Sequence, residues 1–195
     1  LRHPPFPFYT ASTQGVSATD LDGNRRIDFH NNYTALIHGH GHPVVIEAIH
    51  AQLQAGTTYS SPGAQELALA ELLCERIPSL EQVVFNNSGT EAVMVALRAA
   101  RAYTGRHRIG KFEGAYHGSY DFVMVGGGNL PAVDDPVRLT RPAPDVGGLP
   151  PAAIDDVVLM RYNDPEAVRE AVRRYGDSLA AILVEPMLGA GGVVQ

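Results

Sequence analysis

Val83-Val84-Phe85-Asn86-Asn87-Ser88-Gly89-Thr90-Glu91-Ala92 and, further along, Phe112-Glu113-Gly114-Ala115-Tyr116-His117-Gly118 are the stretches that decide the fold. Each runs from apolar residues into a polar turn framed by glycine. Ser88-Gly89-Thr90 leads straight into the helical pattern of Glu91 to Tyr103. The first N–H groups of a helix lack intrahelical partners and carry the positive end of its dipole, so they favour an anion. Gly89 lets the backbone come close to such a group, and the hydroxyls of Ser88 and Thr90 can add donors. The same residues also suit a plain helix cap. Tyr116-His117-Gly118 has two readings as well: a ring that stacks on a planar cofactor, or an ordinary turn aromatic. The local sequence leaves both pairs of alternatives open.

Outward from these stretches, the pattern alternates strand and helix. Asp22-Gly23 marks a hairpin turn between Ala18-Thr19-Asp20-Leu21 and Arg25-Arg26-Ile27-Asp28-Phe29. His42-Pro43 opens a helix to about Gln54, with Val45, Ile46, Ile49 and Leu53 as its apolar stripe and Gly56 at its end. A second helix is predicted from about Ala64 to Ile77, stopped by Pro78. Strands are expected at Gln82–Phe85, Arg108–Phe112, Phe122–Val125, Val157–Met160 and Leu179–Val184. Helices are expected at Glu91–Tyr103, with Ala92, Val95, Ala96, Ala99 and Tyr103 on one face, and at Pro165–Tyr175. The first 20 residues show no sustained period, and Gly126 to Pro151 reads as an irregular surface loop. Such alternation argues for a mostly parallel α/β sheet, and the continuous run Ala180-Ala181-Ile182-Leu183-Val184 suits a strand covered on both faces. Residues 1–40 read as an N-terminal segment and 41–195 as the beginning of a large domain.

Composition narrows the partners. The net charge is −6 with no basic run, which argues against nucleic acid and acidic membrane surfaces. No apolar run approaches the ~20 residues needed to span a bilayer. The lone cysteine, Cys74, excludes an internal disulfide and fits a reducing, cytoplasmic compartment; its neighbours Leu72, Leu73 and Ile77 suggest a buried core thiol. Leu1 is not an initiator Met, no signal segment follows it, and both ends read as cuts in a longer chain.

In an open α/β sheet ligands bind beyond the carboxyl ends of the strands. Three polar clusters fall at such ends: Asn86 to Thr90, Glu113 to His117, and Glu185-Pro186. His38-Gly39-His40-Gly41-His42 invites a metal reading, but no cysteine or carboxylate is expected to join it, and its two glycines and Pro43 suit a turn into a helix better. Asp134-Asp135 and Asp155-Asp156 read as solvated loop charges.

Taken together, Asn87-Ser88-Gly89-Thr90-Glu91-Ala92, Arg98-Ala99-Ala100-Arg101, Thr104-Gly105-Arg106 and Lys111-Phe112-Glu113-Gly114-Ala115-Tyr116-His117-Gly118 resemble the class III aminotransferases of fold type I, most closely their glutamate-1-semialdehyde 2,1-aminomutase branch. Asp22-Gly23-Asn24, Gly39-His40-Gly41-His42-Pro43, Tyr162-Asn163-Asp164 and Glu185-Pro186 extend the likeness. The resemblance implies the first part of a fold type I large domain and pyridoxal 5'-phosphate as cofactor. Ser88, Gly89 and Thr90 would hold its phosphate, Tyr116 would stack on its ring with His117 beside it, and Glu185 would lie near the ring substituents. Asn32 and Tyr33 would shape the pocket for a small amino or keto acid, though Asn31-Asn32-Tyr33 stands where the aminomutases carry a Ser-Trp pair. The family also builds its site at a homodimer interface, to which Gly56 to Pro62 is a candidate contributor. Its Schiff-base lysine and the Asp facing the pyridine nitrogen fall beyond Glu185-Pro186, past Gln195, so no catalytic residue is expected in this chain. Lys111, the sole lysine, stands where the family has an ordinary one.

Overall fold

The computed structural model describes residues 8–126 and 142–193. Its contacts divide it into two compact units, one up to Gln82 and one from Val83 onward.

The first unit begins with a three-stranded antiparallel sheet, β1 (Thr10–Gln14), β2 (Ser17–Asp20) and β3 (Arg25–Ile27), in that order. The Asp22-Gly23 turn joins β2 to β3 as predicted, with Gly23 at φ +85° and the Asp20 carboxylate accepting from the backbone N–H groups of Asp22 and Asn24. β1 was not anticipated: Thr-Ala-Ser-Thr-Gln is exposed throughout and shows no apolar alternation, so only pairing with β2 makes it a strand. Two helices follow, α1 (Pro43–Ala55) and α2 (Ala64–Arg76). Pro43 sits in the first turn of α1, where its missing N–H costs nothing. Neither helix contains a buried residue, and Val45, Ile46, Ile49 and Leu53 stand exposed. Cys74 is half-buried rather than a core thiol, because nothing among the described residues closes over α2.

The second unit runs α3 (Gly89–Thr104), β4 (Arg108–Phe112), a 3₁₀ turn at Asp121–Val123, α4 (Pro151–Asp155), β5 (Val157–Met160), α5 (Pro165–Tyr175) and β6 (Leu179–Ile182). Its sheet is parallel, in the order β5-β4-β6, with Ile109 opposite Val157 and Gly110 opposite Ile182. The expected parallel α/β layer is therefore present. β5 is buried along its whole length, and Ile109, Leu159 and Met160 are fully inaccessible. Side chains of that size stabilise a fold by about 1.5–3 kcal/mol each on full burial, which makes this sheet a firm base for the loops at its carboxyl edge. α5 starts at Asp164, whose side chain accepts from the Ala167 N–H, and Pro165 occupies its first turn.

Several expectations need correction. Gln82–Phe85 forms no strand: a strand is defined by its ladder, and this segment has no pairing partner among the described residues. Phe122–Val125 is a 3₁₀ turn followed by one isolated bridge from Val125 to Pro144. α3 turns Val93 and Leu97 to the core, whereas Tyr103, Ala92, Ala96 and Ala99 face outward. The short helix α4 closes a region expected to be irregular, and Asp156 pairs with His107. Asp134-Asp135 and most of the predicted loop from Gly126 to Pro151 lie outside the described residues.

Candidate functional site

Ser88 caps α3, its Oγ accepting from the Glu91 N–H at 3.2 Å. Glu91 reaches back to accept from the Asn87 N–H at 2.7 Å, so the helix entry is held from both sides. The cap reading is thus correct, and it leaves the anion reading intact. Among the described residues, the backbone N–H groups of Gly89 and Thr90 have no partner. A Cβ placed on Gly89 would meet nothing within 4 Å among the described residues.

The aromatic loop follows β4 and rests directly on this helix start. The Ser119 N–H donates to Thr90 Oγ1 at 3.0 Å. Gly118 has φ +92°, and a Cβ there would lie 2.5 Å from Thr90 Oγ1 and 2.9 Å from Thr90 Cα. Only glycine permits that approach. Tyr116 presents an exposed ring at 62% accessibility. His117 is half-buried, and its Nε2 is buried with no hydrogen-bond partner. Burial first, then the positive charge of Lys111, push the His117 imidazole below its ordinary range against an opposing pull from Glu185.

Glu185 follows β6 and clamps two turns. One carboxylate oxygen accepts from the Tyr116 N–H at 2.5 Å and the other from the Gly189 N–H at 3.0 Å. The Tyr162 hydroxyl, beyond β5, is shared between the carbonyls of Glu185 and Pro186 at 2.9 and 3.0 Å. An open cleft lined by Phe112, Tyr162, Asn163, Val184 and Glu185 lies at the same carboxyl edge of the sheet.

Thus Ser88, Gly89, Thr90, Tyr116, His117 and Glu185 share one unit, in which the Ser119–Thr90 bond joins the helix start to the aromatic loop and Glu185 holds the Tyr116 N–H. Asn32 and Tyr33 belong to the first unit. There they form part of a left-handed turn, with Asn31, Asn32, Tyr33 and Thr34 all at positive φ. Four consecutive non-glycine residues in that region are costly and require outside support. Asp28 supplies some: its carboxylate accepts from the N–H groups of His30 and Asn31 and bonds His40 Nε2 at 2.7 Å. A carboxylate does therefore join the histidine run, contrary to the reading of its neighbours in sequence. No group of three or more metal-ligating side chains exists among the described residues.

The family model for class-III aminotransferases matches residues 2–195. The chain belongs to that family. Glutamate-1-semialdehyde 2,1-aminomutase of Methanothermobacter thermautotrophicus is 43% identical over 194 residues, which is 100% of this class-III chain and 44% of that enzyme. An omega-transaminase from Sphaerobacter thermophilus aligns with a TM-score of 0.90 and 47% identity over 98% of this chain and 44% of its own. A transaminase solved with PLP bound aligns with a TM-score of 0.87 and 42% identity over 99% of this chain and 44% of its own. This class-III chain therefore spans less than half the length of the relatives it matches.

Class-III aminotransferases use pyridoxal phosphate, and the residues present fit that group. Two unpaired N–H donors at a helix start suit its phosphate. An exposed ring and an imidazole with an orphaned nitrogen stand on the loop bonded to that same helix start. Sequence reasoning missed Ser119 and Gly118 as the link between cup and loop, and Tyr162 as the support under Glu185.

Proposed function

We propose that this chain forms the cofactor floor of a pyridoxal-phosphate enzyme that moves an amino group, either between a small amino acid and a keto acid or within one substrate as an aminomutase. Gly89 and Thr90 hold the phosphate through their backbone N–H groups, with Ser88 adding its hydroxyl. Tyr116 stacks on the pyridine ring, His117 offers Nε2 at its edge, and Glu185 acts by holding the loop that carries both. Asn32 and Tyr33 line the substrate pocket. When bound, the cofactor supplies the electron sink for amino transfer. The observation that carries this reading is the Ser119–Thr90 bond, which fuses an anion cup and an aromatic loop into one surface.

The covalent attachment lysine is not Lys111, whose amine is spent on three backbone carbonyls. We place that lysine outside these residues, so the chain by itself does not turn over substrate. It then binds cofactor as a non-catalytic piece, or completes its site with further polypeptide. We also propose that the whole enzyme is a cytoplasmic homodimer. The uncovered apolar stripes of α1 and α2 support a protein neighbour there. Among the described residues no helix is long and apolar enough to cross a membrane.

Titration with pyridoxal phosphate, monitored by absorbance and by competition with inorganic phosphate, tests the reading. Saturable binding that phosphate displaces supports it. Binding that survives Gly89→Pro and Thr90→Val together would contradict it.

A further inference from the structure

Lys111 is the one lysine of the chain and lies in β4 beside Arg108, Ile109, Gly110 and Phe112. It is completely buried. A lysine is almost never fully buried unless its charge is compensated. Here Nζ donates to the carbonyls of Ala115 at 3.0 Å, Val123 at 2.9 Å and Val125 at 2.7 Å. An ammonium has three N–H donors, and a neutral amine has only two. The three-carbonyl cage therefore matches the charged form. Burial pushes the Lys111 amine below its ordinary range, while Asp145 and Glu185 pull it back.

The Ala115 carbonyl and the Tyr116 N–H belong to the same planar peptide. The carbonyl faces the Lys111 ammonium, and the N–H donates to the Glu185 carboxylate. One peptide unit is thus held between a cation and an anion. Charge-assisted hydrogen bonds are about twice as strong as neutral ones, and bonds in series polarise one another.

We propose that Lys111 is a positioning residue of the site: with Glu185 it grips the Ala115–Tyr116 peptide from both ends and fixes the loop that presents Tyr116 and His117. The relevance to a cofactor rests on the function proposed above, but the grip itself rests on geometry alone. Further bonds pin the start of the loop, from the Glu113 N–H to the Met160 carbonyl and from the Gly114 N–H to the Gly126 carbonyl, both 2.9 Å. Those bonds do not orient the Ala115–Tyr116 peptide. Lys111 and Glu185 do. The Val123 and Val125 carbonyls bring the segment after the loop onto the same ammonium, so one buried charge gathers both sides of the turn.

Amide hydrogen exchange by NMR on the cofactor-free protein tests the grip, with Lys111→Met and Glu185→Gln. The Tyr116 amide is expected to exchange at least about tenfold faster in both variants, with the β4–β5 ladder amides unchanged. The His117 imidazole is expected to titrate at higher pH in Lys111→Met, a change that a packing role alone would not produce. Unaltered Tyr116 exchange in folded Lys111→Met overturns the proposal. If that variant does not fold, Glu185→Gln decides, and unaltered Tyr116 exchange there overturns it equally. Pyridoxal phosphate affinity of the parent is measured alongside. Its absence would remove the functional reading while the exchange data still judge the grip.

Discussion

The backbone N–H of Ser119 donates to Thr90 Oγ1 at 3.0 Å, and that bond joins the start of α3 to the loop carrying Tyr116 and His117. In the proposed site Thr90 thereby serves twice, offering its own N–H to the cofactor phosphate and its hydroxyl oxygen to the loop. Thr90→Val keeps the shape and removes the acceptor. Losing a bond of this kind costs about 1 kcal/mol. Pyridoxal phosphate affinity, measured by absorbance titration, is expected to fall roughly fivefold, and Thr90→Ser is expected to retain it.

Gly118→Ala should be more damaging. The added Cβ would stand 2.5 Å from Thr90 Oγ1, and φ +92° is itself unfavourable for alanine. Strain of this kind costs of order 1–3 kcal/mol. Urea unfolding should show lower stability, with cofactor binding lost beyond what Thr90→Val removes.

Tyr116→Ala separates binding from stability. The ring is exposed, so its removal should change unfolding free energy by less than about 0.5 kcal/mol. Stacking contributes about 0.5–1.5 kcal/mol, so affinity should drop roughly twofold to twelvefold. Tyr116→Phe should behave like the parent in both measurements.

His117 makes stability depend on pH with a definite sign. The folded chain protonates it only below the ordinary imidazole value of about 6.5, because burial and then Lys111 disfavour the imidazolium. As pH falls, the unfolded chain takes up the proton first. The stability contribution is whole above about 6.5 and is lost as pH falls towards the lower folded value. Urea midpoints at pH 7.5 and 5.5 should therefore differ less in His117→Gln than in the parent.

Local patterns made much of this molecule legible. Pro43 and Gly56 bracket α1, Pro165 opens α5 after the Asp164 cap, and the apolar run from Val157 to Met160 is the buried strand β5. Ser88-Gly89-Thr90 and Tyr116-His117 stood out as polar turns after apolar runs, and the structure joins them through the Ser119–Thr90 bond. Their cofactor roles came from the family resemblance and not from the residues alone. What failed depends on partners distant in sequence. Val83 to Phe85 has the composition of a strand and, among the described residues, no neighbour to pair with. β1 has the opposite character, a polar segment made into a strand by β2. The face of α3 could not be chosen from alanine spacing, because Leu97 and Val93 find the sheet only in three dimensions. Lys111 carried a readable signal, a charge set between Gly110 and Phe112 in a strand, but its three carbonyl partners come from turns that only the fold brings together.

The central claim is that the chain holds the cofactor without bonding to it through its own lysine. Borohydride reduction of the protein saturated with pyridoxal phosphate, followed by peptide mass mapping, tests this directly. The account predicts reversible, phosphate-competed binding and no adduct on the peptide containing Lys111. A stoichiometric adduct at Lys111 would contradict it.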